Sequence, residues 1–295
     1  MDVTSSNPLQ FHNVGVRAVA LLTAVASMCA ALMTWQLFVN TRFGQTFDNA
    51  AFQASYRVKD DLWMLAEPVL DVVSVVFIAV AIVVVMIIAL LRKKWMLALQ
   101  VAVLIAGANV TTQVLKKVVL DRPDFDVVWG PYNTLPSGHT TVAASVSAAL
   151  LLVVPRGWRP ITALAAVAYT SATGLSTMVG QWHRPSDVIA AILVVGAWTA
   201  FVCVFSHTNS AEELNQPIHS GAVLSLTLIA IVAAIGLAVA FVVLRDAQAA
   251  GEFALNSDFS LQKKAFLGSS AGVVGMSAAV FGVSQMLRQA VARMR

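Results

Sequence analysis

Charge is what this 295-residue sequence has least of. Asp, Glu, Lys and Arg make up 12% of it, half the roughly 25% usual in a soluble domain. Hydrophobic residues make up 58% and the mean hydropathy is +0.78. That excludes an ordinary soluble domain, and the surplus apolar surface must face lipid. Cysteine is nearly missing too. Cys29 and Cys203 both lie inside apolar runs, which reads as packing and excludes a disulfide framework or a zinc site. No cleaved signal peptide is expected, because the first apolar run, about Ala18 to Val39, exceeds a normal signal core and reads as an anchor. There is no internal repeat and no ten-residue alternation of the barrel type. No Asp/Glu/His cluster has metal-ligand spacing, so no metal or other cofactor is expected. The net charge of +4 says little about partners, since basic residues of membrane proteins gather at the bilayer edges. No nucleic-acid partner is expected, and the oligomeric state is not legible.

What is present is a series of long apolar runs. A helical span needs roughly 20 predominantly apolar residues, and eight stretches qualify: about 17–39, 68–91, 95–116, 139–155, 160–179, 187–205, 220–244 and 264–287. The expectation is an all-α integral membrane protein of about eight spans, with a six-helix core over 17–205 after an N-terminal segment 1–16. A polar linker at 206–219, including SHTNSAEELNQ, then leads to two further helices and a basic tail at 220–295. Gly268 and Gly272 form a small-residue pattern suited to close helix packing. Eight spans put both termini on one side, together with Arg17, Arg92-Lys93-Lys94, Arg156 to Arg159, Arg288, Arg293 and Arg295. By the positive-inside rule that side is the cytoplasmic face of a plasma or inner membrane. The mixed-charge loop 40–67 falls on the outer face, over or beside the second of three polar islands.

Those islands are LKKVVLDRPD at 115–124, LPSGHTT at 135–141 and GQWHRPSD at 180–187. In this topology all three lie at outer helix ends. In the second, Ser137 is a preferred N-cap, Gly138 lets a ligand approach the backbone, and a helix N-terminus suits an anion such as phosphate. Taken alone, it reads better as a capped helix start with an interfacial histidine, His139; the other two islands reverse that reading. In the third, His183 and Asp187 are four residues apart and share a helix face if the turn is helical, so the carboxylate can fix the imidazole tautomer and support its cation; taken alone, it is equally an interfacial histidine beside an N-capping Ser186 or Asp187. Pro185 suits a first helical position, and Arg184 is either a headgroup anchor or a substrate ligand. The first supplies Lys116, Lys117 and Arg122. Snorkelling accounts for one or two of these, while arginine binds phosphate in bidentate fashion and lysine as a point charge. Asn109, Thr111, Thr112 and Gln113, one turn earlier, are polar for a span and should face the bundle interior. Together the islands point to metal-free phosphoryl transfer, with one histidine to attack phosphorus and one to protonate the leaving oxygen.

The order Lys…Arg-Pro, then Pro-Ser-Gly-His, then His-x-x-x-Asp resembles the type-2 phosphatidic acid phosphatase superfamily, membrane lipid phosphatases related to vanadium haloperoxidases. The resemblance covers about residues 18–205. It implies that His183 is the nucleophile forming a phosphohistidine, that Asp187 orients it and that His139 is the general acid. It also implies that Arg122 and a lysine, Lys116 before Lys117, bind phosphate with help from Ser137 and the Gly138 backbone. Two features depart from the pattern. Only five residues separate Lys116 from Arg122 where the family usually has six, and Thr177 stands where the family has arginine. Arg184 is the candidate to restore that charge.

The expected function is therefore hydrolysis of a lipid phosphate monoester or pyrophosphate, on a polyprenyl carrier or a phosphatidate-like lipid, at the outer leaflet. A phosphotransferase of the same fold shares the first half-reaction. An anion-binding transporter needs midplane charges or broken helices in repeated halves, and the sequence has neither; Asp71 lies near a helix end.

Overall fold

The computed structural model describes residues 8–57, 59–72, 83, 87, 95–127, 132–205 and 220–293, all of them helix or connecting turn without a strand. The helices are α1 (Pro8–Phe38), α2 (Arg42–Arg57), α3 (Lys59–Val72), α4 (Trp95–Val114, continued by a π-turn Leu115–Val119), α5 (Gly138–Val153), α6 (Arg159–Val179), α7 (Pro185–Val204), α8 (Ser220–Ala250), α9 (Glu252–Ser257) and α10 (Phe259–Arg293). Most of the expected span 68–91, the Arg92–Lys94 connector, the linker 206–219 and the last two residues lie outside the described residues.

Among the described residues, five helical stretches are long and apolar enough to cross a membrane: Val14–Phe38, Trp95–Val119, Pro185–Val204, Ser220–Ala250 and Phe259–Ala290. This is the pattern of a membrane protein. Gly138–Val153 is apolar but shorter. Helix α6 stands where the fifth span was expected. It is not among the five, and Thr162, Thr170, Ser171, Thr173, Ser176 and Thr177 dilute its apolar character.

Helix α7 is the hub. It packs against α1, α4, α5 and α10, and 78% of its span is buried against 11% for α8, whose sides are left to lipid. Its run of Ala, Val, Ile and Leu is apolar all round, as a surrounded helix must be. The last long helix is not set apart from the others: α10 packs along α8, α2, α7 and α6. Small residues make the α8–α10 approach close, as Gly268 and Gly272 lead one to expect. A Cβ on Gly268 would lie 2.6 Å from Val243, and one on Gly236 only 2.5 Å from the Ala271 carbonyl.

Four side chains depart from the sequence reading. Gln113, expected to face the bundle interior, is exposed. Cys29, expected in packing, is on the exposed face of α1. Arg159 and Arg288, expected at the bilayer edge, are 4% and 3% exposed. The Arg288 Nε donates to the Leu152 carbonyl at 3.1 Å, and an Arg159 terminal nitrogen donates to the Arg288 carbonyl at 3.2 Å. A buried guanidinium is tolerated when its N–H groups meet such acceptors, and here the bonds tie α10 to α5 and α6.

The segment 40–67 is two helices rather than a loop. Thr41 caps α2, accepting the Gly44 N–H at 3.0 Å. Gln45, Asp48, Phe52 and Ser55, spaced by three, four and three residues, fall on one face of α2, and each of them meets one of the polar islands.

Candidate active site

Chain direction brings the three islands together. The C-terminal ends of α4 and α6 and the N-terminal ends of α5 and α7 meet at one end of the bundle, with α2 beside them. Ser137 caps α5, accepting the Thr140 N–H at 3.3 Å, an arrangement worth about 1 kcal/mol to a helix. Its own N–H donates to the Asp187 carbonyl at 2.9 Å, which fixes the start of α5 against the start of α7. The first-turn N–H groups of α5, at Gly138 and His139, precede the helix's internal ladder and point out of its end.

At the start of α7, His183 Nδ1 lies 3.1 Å from Asp187 Oδ2. The same oxygen accepts the Arg184 N–H at 3.1 Å. Asp187 is fully buried and His183 is 8% exposed. A carboxylate taken out of water costs several kcal/mol unless paired and hydrogen-bonded; the two bonds to Oδ2 offset part of that cost, while Oδ1 is buried without a hydrogen-bond partner among the described residues. With Nδ1 committed to Asp187, the other ring nitrogen of His183 is the one left for chemistry. His139 is exposed. Its ring centroid is 6.2 Å from that of His183 and 5.0 Å from that of Trp182.

The first island is held by its backbone. Trp35 Nε1 donates to the Asp121 carbonyl at 2.8 Å, Gln45 Nε2 to the Pro123 carbonyl at 2.8 Å and Asn133 Nδ2 to the Leu120 carbonyl at 3.0 Å. Arg122 is thus clamped on both sides while its terminal nitrogens stay uncommitted. Both are buried without a hydrogen-bond partner among the described residues, as is Arg184 Nε. Burial and the neighbouring Arg184 charge press the Arg122 pKa below its ordinary value, although arginine remains charged at any physiological pH. Arg184 also lies 3.4 Å from the Thr134 hydroxyl and 5.2 Å over the Phe52 ring. Lys116, on the π-turn, is half-buried and close enough to Asp187 and His139 to act on both electrostatically. Lys117 is exposed. π-turns recur at functional sites, and this one ends α4 where Lys116 faces inward.

Thr177 does not replace the missing arginine. It is fully buried, and its hydroxyl donates to the Gly174 carbonyl at 2.7 Å within its own helix. Its carbonyl accepts the N–H groups of Trp182 and His183 at 3.0 and 3.2 Å, which shapes the loop that presents the histidine.

Sequence reasoning missed α2. Gln181, in the left-handed region with φ 64°, donates to the Phe52 carbonyl at 2.9 Å and bonds Ser55. Asp48 is fully buried and bonded to Ser186, through the backbone N–H at 3.3 Å and through the hydroxyl. Burial pushes its carboxyl from 3.8 up to about 7; the Ser186 bond and the charges of Arg184 and Arg122 oppose the rise, and Asp187 adds to it. The helical spacing of Gln45, Asp48 and Ser55 was the available signal. Among the described residues, no group of three or more His, Cys, Asp or Glu side chains is arranged to hold a metal ion.

The arrangement offers a buried, carboxylate-backed imidazole facing an exposed one, beside two guanidinium groups and an ammonium. Comparison with curated proteins and with solved structures returned no match. The family model of the PAP2 superfamily matches residues 97–211, a shorter stretch than the 18–205 of the resemblance; it takes in all three islands and leaves α1–α3 and α8–α10 outside. The match to the PAP2 superfamily thus runs from the first turn of α4 to just past α7.

Proposed function

We propose that this membrane protein is a lipid phosphatase that works through a phosphohistidine at His183. The match to the PAP2 superfamily supports a phosphatase-type activity, the hydrolysis of a phosphoric ester. The observation that carries the mechanism is the pairing of His183 with buried Asp187, across from His139 and beside the uncommitted nitrogens of Arg122 and Arg184.

In the first step the free ring nitrogen of His183 attacks phosphorus. The bond from phosphorus to the lipid oxygen breaks, and protonated His139 gives its proton to that oxygen. Asp187 stabilises the positive charge on the His183 ring. Arg122, Arg184 and Lys116 balance the phosphoryl oxygens, with the first-turn N–H groups of α5 adding hydrogen bonds. In the second step neutral His139 takes a proton from water, the oxygen attacks phosphorus, and the phosphorus–nitrogen bond breaks to release phosphate. A lipid substrate is favoured by the rim. Val118, Val119, Tyr132 and Trp182 are exposed there, next to helices whose sides are left to lipid. In this reading the site faces the outer leaflet and both termini are cytoplasmic.

Purified protein should release phosphate from a polyprenyl or phosphatidate-type phosphate, and do so in the presence of chelator. Brief reaction with radiolabelled substrate should leave an acid-labile, base-stable label on the chain, absent from His183→Ala. A fully active His183→Ala enzyme would sink the mechanism. Label passing to an added alcohol in preference to water would make it a phosphotransferase.

A further inference from the structure

Among the described residues, the fully buried carboxyl groups are Asp187 and Asp48. The mechanism above uses the first and not the second. Both oxygens of Asp48 are taken by one residue, Ser186, in the first turn of α7 between Arg184 and Asp187. The two positions are 138 apart in sequence, so tertiary packing alone creates the contact. The charges that bear on Asp48 are Asp187 and Arg184 at the start of α7 and Arg122 in the extended segment after α4. His183 belongs to the same turn. On α2 itself, Arg42 pairs with Glu252 and Arg57 lies over the Phe259 ring. Helix α10 also packs on α2, but its Lys263 and Lys264 are solvent-exposed.

Of the cations that bear on Asp48, both Arg122 and Arg184 carry buried nitrogens without a hydrogen-bond partner among the described residues. An Asp48 carboxylate and a phosphate dianion therefore draw on the same two cations. The carboxylic acid form does not compete.

We infer that Asp48 is a positioning residue of the phosphate site, which holds the first turn of α7 through Ser186 and whose proton occupancy decides how much of the Arg122 and Arg184 charge is left for phosphate. The inference rests on the phosphatase reading. With its carboxyl raised by burial to about 7, the exchange falls near neutral pH. Above that pH phosphate binds either with proton uptake by Asp48 or against its carboxylate, and both weaken substrate affinity. The effect therefore resides in KM.

The test uses the full-length protein in detergent. Phosphate release from one lipid phosphate monoester is followed from about pH 5.5 to 8.5, spanning the Asp48 titration, for wild type, Asp48→Asn and Ser186→Ala. The amide of Asp48→Asn keeps an acceptor for the Ser186 N–H and a donor for its hydroxyl. The substrate's own ionisation is common to all three proteins and cancels in their ratios. The KM ratio of wild type to Asp48→Asn should be near one at the acid end and rise to about fivefold at the alkaline end, the low edge of typical site-to-site coupling. Ser186→Ala removes a bond that favours the carboxylate, so its KM limb should move to higher pH. Superimposable KM curves for wild type and Asp48→Asn overturn the inference, and so does a difference confined to kcat. If Asp48→Asn does not fold, an unmoved limb in Ser186→Ala overturns it and a limb at higher pH supports it. His183→Ala runs in parallel. Activity retained there defeats the phosphohistidine reading, whereas activity lost there with superimposed Asp48→Asn curves defeats only the role of Asp48.

Discussion

The starts of α5 and α7 each carry a histidine, and they are built in opposite ways. At α7, His183 is buried, bonded to a buried carboxylate, and backed by a loop tied to α2 through Gln181 and Asp48. At α5, His139 follows a helix cap made by its own neighbour, Ser137, and its ring is exposed against Trp182. A nucleophile has to be held on one line of attack, because a misplacement of about 1 Å can cost about a hundredfold in rate. A proton donor that meets a leaving group entering from the membrane has to be reached. The contrast in burial suits the two roles proposed for these histidines.

Removing the held histidine should break the comparison hardest. His183→Ala is expected to lower turnover by at least ~10⁴-fold, as loss of a nucleophile does elsewhere, read as phosphate release under saturating substrate. His139→Ala should cost about 10²–10⁴-fold, the range for a general acid. That deficit should shrink with an aryl phosphate whose leaving group needs no proton; an equal deficit on both substrates would remove His139 from the acid role. Arg184→Ala should raise KM about 10–100-fold, the loss of a charged hydrogen bond of about 1.5–3 kcal/mol, with a smaller effect on turnover. An unchanged KM would return Arg184 to headgroup anchoring. The smallest effect concerns stability. The folded pKa of Asp48, about 7, is above its ordinary 3.8, so the folded state holds that proton more tightly and stability falls as pH rises between the two values. Asp48→Asn lacks this dependence. Its melting temperature relative to wild type should therefore be higher at pH 8 than at pH 4, by about 2–4 °C per kcal/mol for a chain of this size.

The polar islands were legible in the sequence for a simple reason. In a chain with 12% charge, a histidine or arginine at a helix end stands out, and the three-residue and four-residue spacings of helices say which neighbours share a face. His183 with Asp187 and Ser137 with Thr140 are contacts of this local kind, and the structure contains both. The choice between Lys116 and Lys117 was not local. It depended on the phase of the π-turn, which leaves Lys116 half-buried and Lys117 exposed. The clamp on Arg122 by Trp35, Gln45 and Asn133 was equally hidden, because those side chains bind backbone carbonyls, which every residue has.

Composition and periodicity alone determined a helical membrane protein with three polar islands rich in histidine and cations at helix ends. Apolar runs of membrane length admit little besides helices, since lipid offers the backbone no other hydrogen-bond partner. Only the tertiary structure decided what stands behind those groups: α7 as the buried hub, α10 locked to α5 and α6 by buried arginines, and α2 carrying Asp48 to Ser186. The buried arginine bonds and the Asp48–Ser186 bond join residues more than a hundred positions apart, and a burial that raises a carboxyl to about 7 comes from neighbours that no local pattern names.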